Sequence, residues 1–255
     1  MTAAKLGVSV GVSESTVVRF AIELGFSGYP KLQKSLQELI KNKLTTVQRL
    51  ELSSDYITEG HALKGVLKAD MENIRSTMEK IDYNTFEDVV NNIFAAKRIY
   101  IIGLRSSMAL AEFLGFYLNI ILQNVKTVGY GISDIFEQMI NVGEGDLVIG
   151  IGFPRYASRT IDALAFAQDR GATVVAVTDS FLSPLAARAD YSLIAQSNMA
   201  SFVDSLVAPL SVINALIIAV GMREKENISS TFNSLEEIWR EYNVYSYNNR
   251  NVGDD

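Results

Sequence analysis

The spacing of apolar residues changes twice along the chain. Over residues 1–49 short helical segments are punctuated about every ten residues by Ser, Gly or Pro. From Leu50 to Ile81 the charges disperse, and Leu63, Val66, Leu67, Met71, Ile74, Met78 and Ile81 recur at three- and four-residue steps. That periodicity predicts an amphipathic connector helix whose apolar stripe needs a partner. From Asn84 onward, short apolar runs alternate with helix-length segments, and five runs have strand length: Arg98–Ile102, Val125–Val128, Asp146–Ile151, Thr173–Thr178 and Tyr191–Ala195. They are continuously apolar rather than alternating, as in strands buried on both faces, and the helical segments between them supply the crossovers that parallel pairing requires. The expected fold class is α/β, a doubly wound five-stranded parallel sheet over residues 82–243, preceded by a small all-α module over 1–49 and the connector over 50–81. The tail over 244–255, rich in Asn and Gly, reads as disordered.

Composition removes several chemistries. The chain has 255 residues, 48% of them hydrophobic, which is ample for real cores. Zero cysteines exclude disulfides, thiolate nucleophiles and cysteine-ligated metals, and one histidine, His61 in the connector, cannot build a metal site alone. No cofactor, metal or catalytic residue is expected. Residues 1–20 lack the basic start, apolar core and cleavage site of a signal peptide. The most apolar stretch, Leu206 to Val220, carries Pro209, Ser211 and Asn214 and is short of the roughly 20 residues of a bilayer span, so it reads as a buried helix of a cytoplasmic protein with no membrane partner. Charge is unevenly spread: residues 1–49 hold seven Lys or Arg against three Glu, a net of +4, which leaves −10 to the rest of a chain whose total is −6. A basic N-terminal piece on an acidic body is the asymmetry expected when one part alone meets phosphates.

In the basic piece Thr2 is placed to cap a helix over Ala3–Val8, and Ser13 to cap a second over Glu14–Leu24, with Gly11 in the turn between. This is helix-turn-helix spacing, which puts Ser13, Ser15, Thr16 and Arg19 on the leading end that meets DNA; the plainer reading of the same spacing is a pair of solvated helices. The string Val12-Ser13-Glu14-Ser15-Thr16-Val17-Val18-Arg19-Phe20, followed by Leu24-Gly25-Phe26-Ser27-Gly28-Tyr29-Pro30, resembles the helix-turn-helix of the RpiR family of bacterial sugar-responsive regulators, through about Leu39. The resemblance implies operator DNA as a partner. Members of that family carry one or two further helices ahead of the position of Thr2; with the chain starting at Met1, Leu6, Val8, Val17 and Leu24 are expected to lose part of their cover, and DNA binding to be weak.

In a doubly wound sheet the ligand sits beyond the C-terminal strand ends, where helix N-termini favour phosphate. The loops there are Gly103-Leu104-Arg105-Ser106-Ser107 after the first strand, Gly150–Thr160 after the third, and Thr178-Asp179-Ser180 with Ser183-Pro184 after the fourth. They offer hydroxyls, and Arg105, Arg155 and Arg159 add positive charge to an acidic domain. Taken singly, such serines are caps and such arginines solvated surface; convergence on one sheet edge carries the inference. Residues 81–233 resemble the SIS domain, a sugar-isomerase fold of flavodoxin-like layout that recognises phosphosugars, most clearly in Gly103–Ser107, Gly171–Asp179 and Ser183-Pro184-Leu185-Ala186 with Ala189-Asp190. By that resemblance Ser106, Ser107, Ser158, Thr160 and Ser183 would contact a phosphorylated sugar. Where typical SIS domains have a small Ser-x-Ser-Gly loop, this chain has Phe153-Pro154-Arg155-Tyr156-Ala157-Ser158-Arg159-Thr160. The bulkier loop either strengthens affinity for a phosphate or carboxylate or partly fills the pocket.

The two resemblances, in this order, imply a transcription regulator of carbohydrate metabolism whose effector is a phosphorylated sugar. A phosphosugar isomerase on the same fold is the alternative, and a dimerisation scaffold a third. Isomerisation needs a general base at the pocket, and among Asp134, Glu137, Asp179 and Asp204 none stands out; Asp134 and Glu137, one helical turn apart, read as a charged helix start. A homodimer or homotetramer is expected, because major-groove readers address palindromic half-sites and because the connector stripe and the apolar segment Phe202–Met222 both need burial.

Overall fold

The computed structural model describes residues 1–33, 35–36, 44–53, 61–199 and 202–245, the side chains of 226 and 227 excepted. The chain divides into two units, Met1–Gly65 with Met199–Val203, and Val66–Asn198 with Asp204–Asp255. The disordered tail expected over 244–255 lies outside the described residues from position 246 onward, as does the stretch 54–60 of the connector.

In the first unit two hydroxyls begin two helices. Thr2 Oγ1 accepts from the Lys5 amide at 3.3 Å and starts α1 (Ala3–Val10), while Ser13 Oγ accepts from the Thr16 amide at 3.2 Å and starts α2 (Glu14–Glu23). Gly11 closes α1 in the left-handed region at φ 74°, a conformation that side chains other than Gly or Asn resist. A Cβ on Gly7 would lie 2.7 Å from the Val12 carbonyl, so the chain reverses within van der Waals reach of α1. Ala3, Val17, Ala21, Tyr29 and Leu32 form the small core, with Leu6, Val18 and Phe26 around it. Of the four positions expected to lack cover, Val8 and Leu24 are exposed and Leu6 is half-buried, but Val17 is not: Tyr29 and Leu32, beyond the two helices, complete its surroundings. A short helix, α3 (Thr46–Ser53), follows, where Thr45 and Gln48 cap one another reciprocally.

The second unit begins within α4 (Ala62–Lys80), followed by α5 (Tyr83–Ala95). Then come β1 (Ile99–Gly103), α6 (Met108–Leu122), β2 (Val125–Val128), α7 (Ile135–Gln138), β3 (Leu147–Ile151), α8 (Ser158–Gln168), β4 (Thr173–Thr178), β5 (Tyr191–Ile194), α9 (Val207–Arg223) and α10 (Lys225–Glu241). The strands form one parallel sheet in the order β2-β1-β3-β4-β5. Alternate residues of each strand serve opposite layers. Ile99, Ile101, Leu147, Ile149, Val175 and Val177 pack with Leu114, Leu118, Ile213 and Leu216 of α6 and α9, whereas Tyr100, Ile102, Val148, Val174 and Ala176 pack with Met139, Ala163, Leu164 and Ala167 on the other face. That double cover is why the runs read as continuously apolar. Replacing a fully buried member such as Leu164 by Ala is expected to cost about 2–5 kcal/mol.

The connector helix departs from the usual amphipathic pattern. Its two buried residues are Asn73 and Thr77, while Leu63, Val66, Leu67, Met71, Ile74 and Met78 are exposed. The stripe predicted from periodicity exists, but within the second unit α4 packs by its polar face.

Candidate functional site

The sheet order places a topological switch between β1 and β3. The chain leaves β1 toward β2 on one side, and β3 lies on the other, with Gly103 in register with Ile151. Loops leaving two such strands diverge and open a crevice at their C-terminal ends, the usual ligand position in open parallel sheets. Register sets the loops after β1 and β3, which carry most of the sequence-predicted residues, side by side at this sheet edge.

On the β1 side the backbone turns sharply. A Cβ on Gly103 would lie 2.6 Å from the Ser107 carbonyl oxygen and 3.2 Å from the Ala111 side chain, so only glycine allows the turn to close against α6. Arg105–Ser107 form one 3-10 turn, with Arg105 at φ 59°. Arg105 and Ser106 are exposed; Ser107 is buried, and its side chain makes no capping hydrogen bond to α6.

On the β3 side Arg155 is also in the left-handed region, at φ 64°. An L side chain there carries an energetic cost of about 1–2 kcal/mol. The residue at the N-cap of α8 is Ala157, so no side-chain cap serves the helix. In its first turn Ser158 is exposed, and Thr160 is 1% exposed with a hydroxyl that has no hydrogen-bond partner among the described residues. A buried hydroxyl left unmatched costs about 1–3 kcal/mol. First-turn amides and the positive end of the helix dipole lie beside it, features that favour an anion.

The remaining predicted residues are engaged locally. Arg159 is ion-paired with Asp134, and its guanidinium carbon lies 4.9 Å from the centre of the Phe136 ring. Ser183 is buried, its hydroxyl accepting from the Ala186 amide at 3.0 Å in its own turn. Asp134 and Glu137 form a reciprocal capping box at the start of α7. That is the charged helix start read from their spacing.

Two residues beyond the C-terminal strand ends, Tyr156 after β3 and Gln196 after β5, were not singled out as ligand groups. Tyr156 is half-buried, and its hydroxyl donates to Asp179 Oδ1, at the end of β4, across 2.7 Å. Burial, followed by the nearby Asp179 charge, pushes the phenol far above its ordinary range, so it remains a donor across the physiological pH range. The Gln196 side chain donates to the Asp179 carbonyl at 3.2 Å. The Tyr156 hydroxyl of the bulky loop thus reaches the end of β4. A contact separated by 23 residues leaves no local signature in sequence; the one signal was Tyr156 itself, in a loop where small residues are usual.

Comparison with known proteins bears on both units. Residues 1–43 match the helix-turn-helix domain of the rpiR family, and residues 92–219, half of the chain, match the SIS domain. The sugar isomerase domain of an RpiR transcription factor from Sphaerobacter thermophilus is 30% identical, with a TM-score of 0.66 over 69% of this chain and 99% of that one. The chain belongs to the RpiR family of transcriptional regulators. An uncharacterized HTH-type transcriptional regulator from Haemophilus influenzae is 29% identical over 228 residues, 86% of this chain and 77% of that protein. The Vibrio vulnificus NanR protein complexed with ManNAc-6P has the same fold over 95% of this chain, with a TM-score of 0.62 at 20% identity. Ser13, Ser15, Thr16 and Arg19, the residues expected to meet DNA, are all exposed at the N-cap and in the first turns of α2. The Ser13 hydroxyl is 2.8 Å from those of both Ser15 and Thr16, so the three form one preorganised cluster.

Among the described residues no cluster of three or more His, Asp or Glu could hold a metal ion, and no single helix is long and apolar enough to cross a membrane.

Proposed function

We propose that the protein is a cytoplasmic, non-enzymatic regulator that reads operator DNA through Ser15, Thr16 and Arg19 of α2 and senses a phosphorylated sugar at the switch point between β1 and β3. The observation that carries the effector site is the buried, unmatched Thr160 hydroxyl at a helix start with no side-chain cap. A phosphate oxygen there completes the hydroxyl, accepts from the first turn of α8 and draws on Arg105 and Arg155 across the crevice. ManNAc-6P in NanR, a protein of the same fold, supports a phosphosugar as the class. Against turnover stands the state of the carboxylates: Asp134 and Glu137 are occupied as a cap, and Asp179 accepts from Tyr156. The exposed stripe of α4 suits a second copy of the chain, giving the dimer that a palindromic operator requires.

The test is thermal unfolding with a panel of sugar phosphates, ManNAc-6P among them, each paired with its unphosphorylated sugar. One phosphorylated member is expected to raise the melting temperature, by an amount growing with concentration, while its parent sugar is inert. Thr160→Val, which keeps the shape and deletes the hydroxyl, is expected to remove most of that shift. Stabilisation untouched by Thr160→Val would refute the assignment of the site, and isomerised sugar in the assay would refute the non-enzymatic reading.

A further inference from the structure

Asp70, Asn73 and Thr77 lie on one face of α4, and all three are hydrogen-bonded to the segment that follows β5. Ser205 donates its hydroxyl to Asp70 Oδ1 at 2.6 Å. Asn73 Nδ2 donates to the Asn198 carbonyl at 3.0 Å, and Asn198 Nδ2 donates back to Asn73 Oδ1 at 3.0 Å. The Gln196 amide donates to the buried Thr77 hydroxyl at 2.8 Å. Docking by a polar face forgoes hydrophobic energy, but directional bonds fix the position of the helix more narrowly than apolar contact does.

The same segment touches the effector side. Gln196 uses its side chain to reach the Asp179 carbonyl, and Asp179 accepts from Tyr156. Tyr156 is the residue immediately before the N-cap of α8 and immediately after left-handed Arg155. Tyr156, Asp179, Gln196 and Thr77 thus form an unbroken chain of hydrogen bonds and backbone from the start of α8 to α4.

We propose that this chain transmits effector occupancy to α4: an anion on the first turn of α8 shifts Tyr156, its bond to Asp179 changes, and Gln196 passes the change to Thr77. One boundary between the two units falls between Gly65 and Val66, inside α4, so this helix is a covalent route toward the helix-turn-helix unit. The four residues are positioning residues, acting through one another. The inference rests on the effector site proposed above.

Amide hydrogen exchange of the full chain, read over residues 66–80, tests it. Tyr156→Phe deletes one hydroxyl and is expected to speed exchange there by about three- to tenfold, the scale of one net hydrogen bond, with β1 and β3 unchanged. Thr77→Val is expected to speed the same amides, and adding Tyr156→Phe in that background brings no further rise, because the link is already cut; two independent structural roles would instead add. Gln196→Met, which keeps the length and removes the donor, is expected to reproduce Tyr156→Phe and stands in for it if that variant loses protection in β1 and β3. No change over 66–80 in the folded variants, or additive effects in the double variant, overturns the relay. Inorganic phosphate against chloride at equal ionic strength supplies the second arm. It is expected to protect residues 153–162 and to alter exchange over 66–80 in the unmodified chain but not in Thr77→Val. If phosphate leaves 153–162 unchanged, the anion site fails while the variants still judge the relay; protection of 153–162 with no response over 66–80 overturns the relay itself.

Discussion

Three helix starts in this chain are finished in different ways. Helix α2 is closed by its own Ser13, which accepts from Thr16, and α7 by the Asp134–Glu137 box. Helix α8 begins at Ala157 with no side-chain cap, over a buried hydroxyl that has no described partner. The starts of α2 and α8 both face an anion in the proposed mechanism, yet they are built for opposite purposes. A helix that caps itself is complete before its partner arrives and presents side chains to a phosphate backbone. A helix left open is completed by what binds, so binding and stability are coupled there. The proposed function assigns sensing to the open start and simple presentation to the closed one.

The strongest way to break the contrast is to give α8 a cap of its own. Ala157→Asp places a carboxylate where a bound phosphate would draw on the first-turn amides. Helix capping contributes about 1 kcal/mol, which for a domain of this size is a rise of roughly 2–4 °C in melting temperature. The same carboxylate repels the effector and occupies its donors, so affinity is expected to fall by about a hundredfold or more, the scale of two charge-assisted hydrogen bonds lost. Calorimetric titration with the effector, alongside melting curves, checks both signs. A variant that gains stability and keeps its affinity would show that the anion does not use this helix.

The two arginines of the β3–α8 loop give the next largest effect and part company. They are four residues apart, and sequence alone treats them as a pair. In the structure Arg159 is held by Asp134 and Phe136, and the proposed function assigns the anion contact to Arg155. Arg155→Ala is expected to weaken effector binding about tenfold to a hundredfold, the cost of one charge-assisted hydrogen bond. Arg159→Ala removes a half-exposed ion pair of the kind that contributes about 0–1 kcal/mol, so affinity should fall no more than about threefold. Equal losses in the two variants would return Arg159 to the binding set.

What was legible in sequence follows from the range of the interactions. All five strands were found, with boundaries differing by at most one residue at either end, because double burial writes an unbroken apolar run into each. The caps Thr2 and Ser13 and the turn at Gly11 were legible because capping is complete within three or four residues. The loops of the site could be placed because strand ends determine them. The Tyr156–Asp179 bond and the Asn73–Asn198 pair were not legible, since they join residues 23 and 125 apart and follow no period. The polar docking face of α4 was not legible for the same reason: periodicity identifies the apolar stripe that needs a partner, but not that Asp70, Asn73 and Thr77 find long-range partners of their own.

On the presenting side, Arg19→Ala is expected to lower operator affinity by about tenfold and to reduce the salt slope by about one if Arg19 meets a phosphate, or to relax one base position if it reads a guanine. Effector affinity should be unchanged, because α2 carries none of the effector groups. Operator titrations at several salt concentrations, with and without effector, separate these outcomes; a loss of effector binding in Arg19→Ala would break the division between the two helix starts.

The smallest effect expected is at Ser13, and it sharpens what presentation means. Its hydroxyl accepts from the Thr16 amide and is shared with the hydroxyls of Ser15 and Thr16. If Ser13 acts as a cap, Ser13→Ala costs about 1 kcal/mol of α2 stability and lowers operator affinity only a few-fold, through fraying of the end that carries Ser15 and Thr16. Ser13→Asn then restores both, because asparagine caps as well as serine does and leaves the charge unchanged. Stability restored in Ser13→Asn without affinity would mean that the serine hydroxyl itself contacts DNA, and the start of α2 would then be completed by its partner in part, as α8 is. Melting curves and operator titrations on the same two variants decide between these readings, since stability reports the cap alone and affinity reports the cap and the contact together.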